Sequence, residues 1–217
     1  MSVSAADTAI AVHNVTKKYG DFTAVDDLSF DVRRGEIFAM LGPNGAGKTT
    51  TIRMILDILK PDSGRIDVLG APINDATKER IGYMPEERGL YRNVPLLDVL
   101  VYLGQLKGMS RADARARALD LLEHADLAAN VKSKVSELSK GMQQKVQVIA
   151  TVLHRPELII IDEPFSGLDP VNTQLIKDLL YEMNREGVTI VMSTHQMHQI
   201  EEMADRLLMV DHGRRVL

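Results

Sequence analysis

The amino-acid sequence predicts an α/β fold with a mostly parallel sheet and a helical insert. Apolar and β-branched runs recur at both ends of the 217-residue chain, and helical spacing of apolar residues separates several of them. Strands that alternate with helices indicate a parallel sheet. Between about residues 94 and 153 the strand pattern gives way to apolar residues at helical intervals, which indicates an inserted helical segment.

The predicted strands are short runs rich in apolar and β-branched residues. They cover residues 10–15, 23–32, 37–41, 65–69, 158–162, 188–193 and 206–210. The run 158–161 lacks polar alternation, which is typical of a central strand covered on both faces. Apolar residues at 52, 55, 56 and 59, and again over 171–186, predict two helices. Asp169 is placed to cap the second helix, and Pro170 fits its first turn.

Composition excludes several classes of protein. The formal net charge is −4 and the basic pairs are short and scattered, which argues against a nucleic-acid partner. The chain has no cysteine, so a disulfide framework and a thiolate metal site are excluded. No apolar run reaches the roughly 18 residues of a membrane-spanning helix, and the amino terminus has no secretory signal pattern. At a membrane, a partner would have to supply the span.

Residues 42–49 form a glycine-rich loop that ends in Gly-Lys-Thr. The loop follows a predicted strand and precedes an amphipathic helix, which is the context of a phosphate-binding P-loop. In such a loop backbone N–H groups would wrap the phosphate, Lys48 would bridge the β- and γ-phosphates, and Thr49 would give its hydroxyl to Mg²⁺. The alternative is a chance glycine turn before a helix. The predicted nucleotide-binding residues of this loop are Gly42, Pro43, Asn44, Gly45, Ala46, Gly47, Lys48, Thr49 and Thr50.

Asp162 and Glu163 come at the carboxyl end of the apolar run 158–162, where open α/β sheets bind ligands. Asp162 would hold the Mg²⁺ shell, and Glu163 would orient or deprotonate the attacking water. An Asp-Glu pair after a strand is more often only the polar start of a loop, but the P-loop upstream favours the functional interpretation. We therefore predict that Lys48 and Asp162 converge on one magnesium nucleotide.

Four further motifs resemble those of the ATP-binding cassette (ABC) family. Residues 138–143, Leu-Ser-Lys-Gly-Met-Gln, look like its Leu-Ser-Gly-Gly-Gln signature. Residues 166–169, Ser-Gly-Leu-Asp, resemble its dimer-contacting loop, and His195 resembles its switch histidine. Tyr19 occupies the place of the aromatic residue that stacks on adenine. The resemblance covers nearly the whole chain.

This resemblance implies a single ABC nucleotide-binding domain over residues 1–217. Its P-loop NTPase (RecA-like) core, with an amino-terminal antiparallel β portion, would comprise residues 1–93 and 154–217. Residues 94–153 would form the helical signature subdomain. The native chain is expected to continue beyond Leu217.

The resemblance also implies the roles of individual residues. Glu163, His195 and Lys48 would be the catalytic residues of an ATPase. Ser139 and Gly141, near the start of a helix, would bind the ATP of a second subunit together with Asp169, so that dimerisation is part of the mechanism.

Each of these residues also has a simpler interpretation. Ser139 taken alone would be only a helix cap, and Tyr19 only a strand-end aromatic. His195 could be a packing histidine, or it could form a metal-binding helix face with His198 and Glu202.

The sequence departs from the family pattern at three places. Lys140 stands where glycine is usual, and Met142 where glutamine is usual. Glu86 stands where the family has glutamine, and its carboxylate could face Mg²⁺ if the ion separates it from the phosphates.

Residues 85–91 and 138–144 are together similar to a prokaryotic exporter branch of sodium- and drug-extruding systems with separate membrane subunits. The segment 86–97 should then lie near the membrane partner, or else be an exposed loop. The implied protein is a cytoplasmic ATPase, peripheral at the inner face of the cell membrane. It would use ATP and Mg²⁺, bind a transmembrane permease subunit and pair with a second ABC ATPase subunit as a homodimer.

Two other functions could use the same motifs, but the sequence argues against each. A soluble cassette ATPase that acts on nucleic acid or the ribosome would resemble relatives with inserted coiled coils or tandem cassettes, and neither feature is present. A module that binds nucleotide without turnover would not need intact Lys48, Asp162, Glu163 and His195.

Overall fold

Two β-sheets form the framework of the molecule. The structure is a computed structural model and describes residues 7–87 and 89–217. Residues 1–6, which belong to the predicted domain, lie outside the described residues, as does Arg88 in the segment predicted to face a membrane partner.

The first sheet has three antiparallel strands in the order β2-β1-β4, and the second has six strands in the order β5-β6-β7-β3-β8-β9. Strands β5 to β8 are parallel to their neighbours, and β9 pairs antiparallel with β8. This arrangement confirms the predicted α/β fold with an antiparallel amino-terminal portion and a mostly parallel sheet. The strands are β1 (Thr8–Tyr19), β2 (Phe22–Arg33), β3 (Ile37–Leu41), β4 (Ser63–Val68), β5 (Ile81–Met84), β6 (Leu158–Asp162), β7 (Thr189–Thr194), β8 (Arg206–Asp211) and β9 (Arg214–Arg215).

Helices connect the parallel strands. They are α1 (Lys48–Ile55), α2 (Asp75–Glu79), α3 (Leu96–Leu106), α4 (Arg111–His124), α5 (Lys140–Val152), α6 (Pro170–Arg185) and α7 (Met197–Ile200). Three of them, α3 to α5, fall between residues 94 and 153, a stretch without strands. The predicted cap of α6 is confirmed, because the Asp169 side chain accepts a hydrogen bond from the backbone N–H of Asn172. None of the helices in the described part of the chain could cross a membrane.

The central strands β3, β6 and β7 are buried at every position. Alternate residues of β6 enter two different cores: Ile159 and Ile161 join the core that contains residues of α3, α4 and α5, and Leu158 and Ile160 join the core that contains residues of β1 and β2. Each fully buried side chain of this kind contributes about 1.5–3 kcal/mol. Both faces of the strand are covered, which explains its lack of polar alternation.

Several predicted boundaries were wrong. The apolar positions 52, 55, 56 and 59 do not share one helix, because α1 ends at Ile55 and Asp57 has a positive φ of 58°. The predicted strand 65–69 ends at Val68, since Leu69 takes a φ of 55°. Strand β5 was not predicted, and β9, which covers only Arg214–Arg215, is not among the predicted strands.

Candidate functional site

The glycine-rich loop joins the end of β3 to the start of α1. A Cβ atom on Gly42 would lie 2.2 Å from the carbonyl oxygen of Val210, a contact that no side chain can make. Gly47 has a φ of 104°, and its Cβ would lie 2.5 Å from the carbonyl oxygen of Ala24. The loop therefore needs glycine at both ends because neighbouring strands press against it.

Lys48 is buried, with 6% of its surface exposed. Its ammonium group donates hydrogen bonds to the carbonyl oxygens of Gly42, at 2.6 Å, and Pro43, at 3.1 Å. The side chain thus folds back over the loop, and its charge lies next to the space that the loop encloses.

Burial and the neighbouring carboxylates have opposite effects on the pKa of Lys48. Burial lowers the pKa of its ammonium group, whereas the carboxylates of Glu163, Asp162 and Glu86 act to raise that pKa. A cation with three anions close by is a site where an added phosphate and a divalent cation can balance charge.

The loop meets the acidic pair at a direct contact. Thr49 Oγ1 donates a hydrogen bond to Asp162 Oδ2 at 2.8 Å, and Asp162 Oδ1 accepts one from the hydroxyl of Ser193. Asp162 is 1% exposed, so its carboxylate has these hydroxyl partners in place of bulk water. The structure thus places Lys48, Thr49 and Asp162 together, as the sequence predicted.

A hydroxyl and a carboxylate oxygen in contact are ligands of the type that Mg²⁺ prefers. Mg²⁺ commonly takes one or two carboxylates and completes its shell with phosphate oxygens and water. The described residues contain no group of three or more His, Cys, Asp and Glu side chains suited to a metal ion. The Thr49–Asp162 pair therefore fits a magnesium ion that arrives with a nucleotide rather than a metal held by protein alone.

Glu163 follows Asp162 in a left-handed backbone conformation, with a φ of 53°. One carboxylate oxygen, Oε1, lies 2.8 Å from Nδ1 of His195, and the other accepts a hydrogen bond from the hydroxyl of Thr194 at 3.2 Å. Nε2 of the same ring lies 3.3 Å from the side-chain amide nitrogen of Gln196, which can donate to it when Nδ1 carries the ring proton. A positive φ costs free energy outside glycine, and here it orients a buried carboxylate between two donors.

Lys48, Thr49, Asp162 and Glu163 line one cleft of about 370 Å³. The lining residues are Tyr19, Phe22, Ala24, Asn44, Gly45, Ala46, Gly47, Lys48, Thr49, Thr50, Glu86, Asp162 and Glu163. Of the residues predicted for this site, Gly42, Pro43 and His195 lie outside the lining. Gly42 and Pro43 contact Lys48, and His195 contacts Glu163. A larger cleft of about 560 Å³, beside Arg117 and Arg155, contains none of the predicted site residues.

Ser139, Gly141 and Asp169 lie outside this cleft and form a second group. The Ser139 side chain caps α5 by accepting a hydrogen bond from the backbone N–H of Met142 at 3.3 Å. Asp169 binds Asn172 in the same way at the start of α6. A Cβ atom on Gly141 would lie 2.8 Å from the amide nitrogen of Asn172, so the two helix starts are in contact.

Four site residues were missed by sequence reasoning. Phe22 and Ala24 contribute to the cleft, and Ser193 and Thr194 bind the two carboxylates. The sequence contained enough information to find Ser193 and Thr194. They are polar residues at the end of a buried strand, directly before His195, and the ends of parallel strands lie at the same edge of the sheet as Asp162. The signal for Phe22 depended on the pairing of β1 with β2.

A glycine-rich loop between a strand and a helix, with acidic residues at the end of a neighbouring strand, defines the class of P-loop nucleotide-binding domains. The sequence profile of the ABC transporter family matches residues 25–166, and the chain belongs to this family.

Two curated relatives illustrate the match. The chain is 46% identical over 208 residues to the uncharacterized ABC transporter ATP-binding protein YhaQ of Bacillus subtilis (strain 168), which covers 96% of this chain and 70% of YhaQ. It is 40% identical over 213 residues to the Nod factor export ATP-binding protein I of Paraburkholderia xenovorans, covering 97% of this chain and 70% of that protein.

Solved structures agree. An ATP-binding subunit of an ABC transporter aligns with a TM-score of 0.89 and 32% identity, over 97% of this chain and 89% of that one. The ATP-binding cassette MJ0796, a dimer in a post-hydrolysis state with ADP and phosphate, aligns with a TM-score of 0.87 and 26% identity, over 96% of this chain and 97% of that one.

The chain is thus an ATP-binding, ATP-hydrolysing subunit of an ABC transporter. Subunits of this kind work with membrane subunits and dimerise. The alternative of a soluble ATPase that acts on nucleic acid or the ribosome is not supported, because the matched relatives are transporter ATP-binding proteins.

Proposed function

We propose that this chain is the motor of a membrane exporter, in which two copies close around two ATP molecules and drive a separate transmembrane permease. The observation that carries the proposal is the contact of Thr49 with Asp162, which brings the phosphate-binding loop to the acidic pair. Export, with an ion, a drug or another small molecule as cargo, is supported by similarity to the Nod factor export protein and to the linearmycin resistance ATP-binding protein LnrL of B. subtilis.

In this proposal the loop 42–50 binds the phosphates of ATP through its backbone N–H groups and Lys48, and Tyr19 stacks on adenine. Thr49 and Asp162 would hold Mg²⁺, with Glu86, which lines the same cleft, as a further carboxylate that could face the ion. When bound, the ion neutralises charge on the β- and γ-phosphates.

Glu163 holds the attacking water. As the water oxygen bonds to the γ-phosphorus and the bond to the bridging oxygen breaks, Glu163 accepts the water proton, and the products are ADP and inorganic phosphate. His195 positions the Glu163 carboxylate through the 2.8 Å contact at Nδ1. Lys48 stabilises the negative charge that moves toward the bridging oxygen.

The second group, Ser139, Gly141 and Asp169, serves the ATP of the other copy in a homodimer. Two helices begin beside each other there, at Lys140 and Pro170, and helix starts attract anions. ATP then joins the two copies, and its hydrolysis releases them.

The domain organisation follows from the same proposal. Residues 1–93 and 154–217 form the ATP-binding core, and residues 94–153 form the helical signature subdomain. The segment 86–97 faces the permease, and the exposed pair Tyr91 and Tyr102, with ring centroids 5.8 Å apart, offers it an apolar surface. The motor is cytoplasmic and peripheral at the inner face of the cell membrane.

Phosphate release by the purified chain with Mg²⁺ and ATP tests the core of the proposal. Glu163→Gln should lower the rate by about 10²- to 10⁴-fold, the usual contribution of a general base. Equal rates in the two proteins would remove Glu163 as the base. The exporter role is tested by purifying the tagged chain from solubilised membranes of its native host. A membrane-spanning protein should co-purify with the chain, and a preparation without one would contradict the exporter role.

A further inference from the structure

Phe22 is a large apolar side chain that is exposed to solvent at the edge of the cleft. Its surface is 62% exposed, and it belongs to the cleft lining beside Tyr19, which is 50% exposed. Phe22 has no role in the phosphate chemistry described above. An exposed aromatic ring inside a binding cleft is a typical contact for a flat, partly apolar ligand.

The hairpin that joins β1 to β2 fixes where this ring lies. Tyr19 and Phe22 are direct partners across the antiparallel pair, separated by the two-residue turn of Gly20 and Asp21. Gly20 has a φ of 57°, a conformation that glycine adopts without strain in tight hairpin turns. Residues directly opposite each other in such a pair project to the same face of the sheet, so both rings face the cleft.

The rings of Tyr19 and Phe22 are two separate aromatic surfaces. Within residues 7–87 and 89–217, Tyr19 and Phe22 make no ring–ring contact with each other. One face of the Tyr19 ring is backed by the ammonium of Lys17, 5.9 Å from the ring centroid, and Lys17 is fixed by Asp62 at 2.7 Å. Tyr19 is 50% exposed, and the face of its ring away from Lys17 is where we place the ligand.

We propose that Phe22 is a second base-contacting residue and that Tyr19 and Phe22 together select purine nucleotides by stacking, so that GTP binds nearly as well as ATP. This inference rests on the proposed nucleotide site. A purine offers two aromatic walls more stacking area than a pyrimidine does. Among the lining residues on this strand pair, Phe22 and Ala24 have no polar side-chain atoms and Tyr19 has a single hydroxyl, so no pair of side-chain groups there tells adenine from guanine.

Isothermal titration calorimetry with ATP, GTP, CTP and inorganic tripolyphosphate tests the inference in the presence of Mg²⁺. The wild-type chain should bind ATP and GTP within about threefold of each other and CTP about tenfold more weakly. Phe22→Ala should weaken ATP and GTP binding about tenfold and leave tripolyphosphate binding unchanged, because tripolyphosphate has no base. Phe22→Trp should keep the wild-type affinities, and Asp21→Ala, in the same turn, is the matched control.

Unchanged nucleotide affinity in Phe22→Ala would overturn the role of Phe22, and so would an equal loss for tripolyphosphate, which would place the effect on the loop. Wild-type CTP binding as tight as ATP binding would overturn purine selection. A different result identifies failure of the nucleotide site itself: tripolyphosphate binding that does not fall in Lys48→Ala removes the proposed function and this inference with it.

Discussion

The hydroxyl of Thr49 donates a hydrogen bond to the carboxylate of Asp162 across 2.8 Å, joining the start of α1 to the end of β6. The two residues are 113 positions apart in the chain. The contact brings the glycine-rich loop and the carboxylate at the end of β6 together at one edge of the parallel sheet.

Removal of the Thr49 hydroxyl should affect magnesium-dependent binding in particular. Thr49→Val keeps the shape of the side chain and removes its oxygen, so we expect ATP affinity with Mg²⁺ to fall about tenfold and ATP affinity in EDTA to change little. A fluorescent ATP analogue titrated in both conditions measures this difference. Thr49→Ser, which keeps the hydroxyl, should retain magnesium dependence. An equal loss in both conditions would show that Thr49 acts on the fold or the phosphates and not on the ion.

Gly42 should not tolerate a side chain. Gly42→Ala would place Cβ 2.2 Å from the backbone oxygen of Val210, so β8 must shift, and we expect a loss of about 3 kcal/mol in the free energy of unfolding. Urea denaturation measures it. The control is Gly89→Ala, because no described residue beyond its chain neighbours lies within 4 Å of a Cβ atom there, and its effect should stay within about 0.5 kcal/mol. Similar stabilities for the two variants would mean that the loop accommodates the added carbon.

The placement of Lys48 beside Asp162 could be predicted from the sequence, whereas several elements around these residues could not. Lys48 and Asp162 could be brought together because a P-loop and an acidic pair each follow a buried strand, and the carboxyl ends of parallel strands share an edge. Strand β5 was not predictable, because it has four residues, one of them Gly82, and it depends on pairing with β6. Its position requires tertiary contacts: a Cβ atom on Gly82 would lie 2.4 Å from the backbone oxygen of Thr151.

Residues whose roles depend on the folding of one element over another were also out of reach. Phe22 reaches the cleft because β2 pairs with β1 and lies against the loop at Gly47, contacts that no local pattern encodes. The strand order β5-β6-β7-β3-β8-β9 likewise depends on how the crossover helices pack. For Ser139 the sequence predicted both a cap and a ligand, and the structure provides the geometry of the cap alone.

A pair of variants at Ser139 separates the two roles. Asn and Asp both cap helices about as well as Ser, so Ser139→Asn and Ser139→Asp should leave the free energy of unfolding within about 0.5 kcal/mol of wild type. Ser139→Asp adds a negative charge where the phosphates of the partner's ATP would lie. We expect ATP to dimerise Ser139→Asn and not Ser139→Asp in a Glu163→Gln background on a sizing column. Dimers from both variants would limit Ser139 to its role as a cap.

His154 should make the protein less stable in acid. Its ring is largely buried: Nε2 lies 3.2 Å from the carbonyl oxygen of Ile81, and Nδ1 has no partner among the described residues. Burial, assisted by the charge of Lys107, lowers the pKa of His154 to about 4, against the opposing effect of the Ile81 contact. The folded protein therefore keeps a neutral ring down to a pH at which the unfolded chain has already bound a proton.

Because the pKa is lowered on folding, the unfolded state binds more protons between pH 4 and about pH 6.5, and stability rises with pH across that window. The contribution is fully present above about pH 6.5 and is lost as the pH falls toward 4. From pH 7 to pH 5 we expect it to remove about 2 kcal/mol from the free energy of unfolding, measured by urea denaturation. The amide of Gln in His154→Gln can still donate to Ile81 but does not titrate. From pH 7 to pH 5 the free energy of unfolding of this variant should therefore fall by about 2 kcal/mol less than that of the wild type. His13→Gln, at an exposed position of β1, should behave like wild type. A wild-type slope retained in His154→Gln would assign the acid sensitivity to other groups.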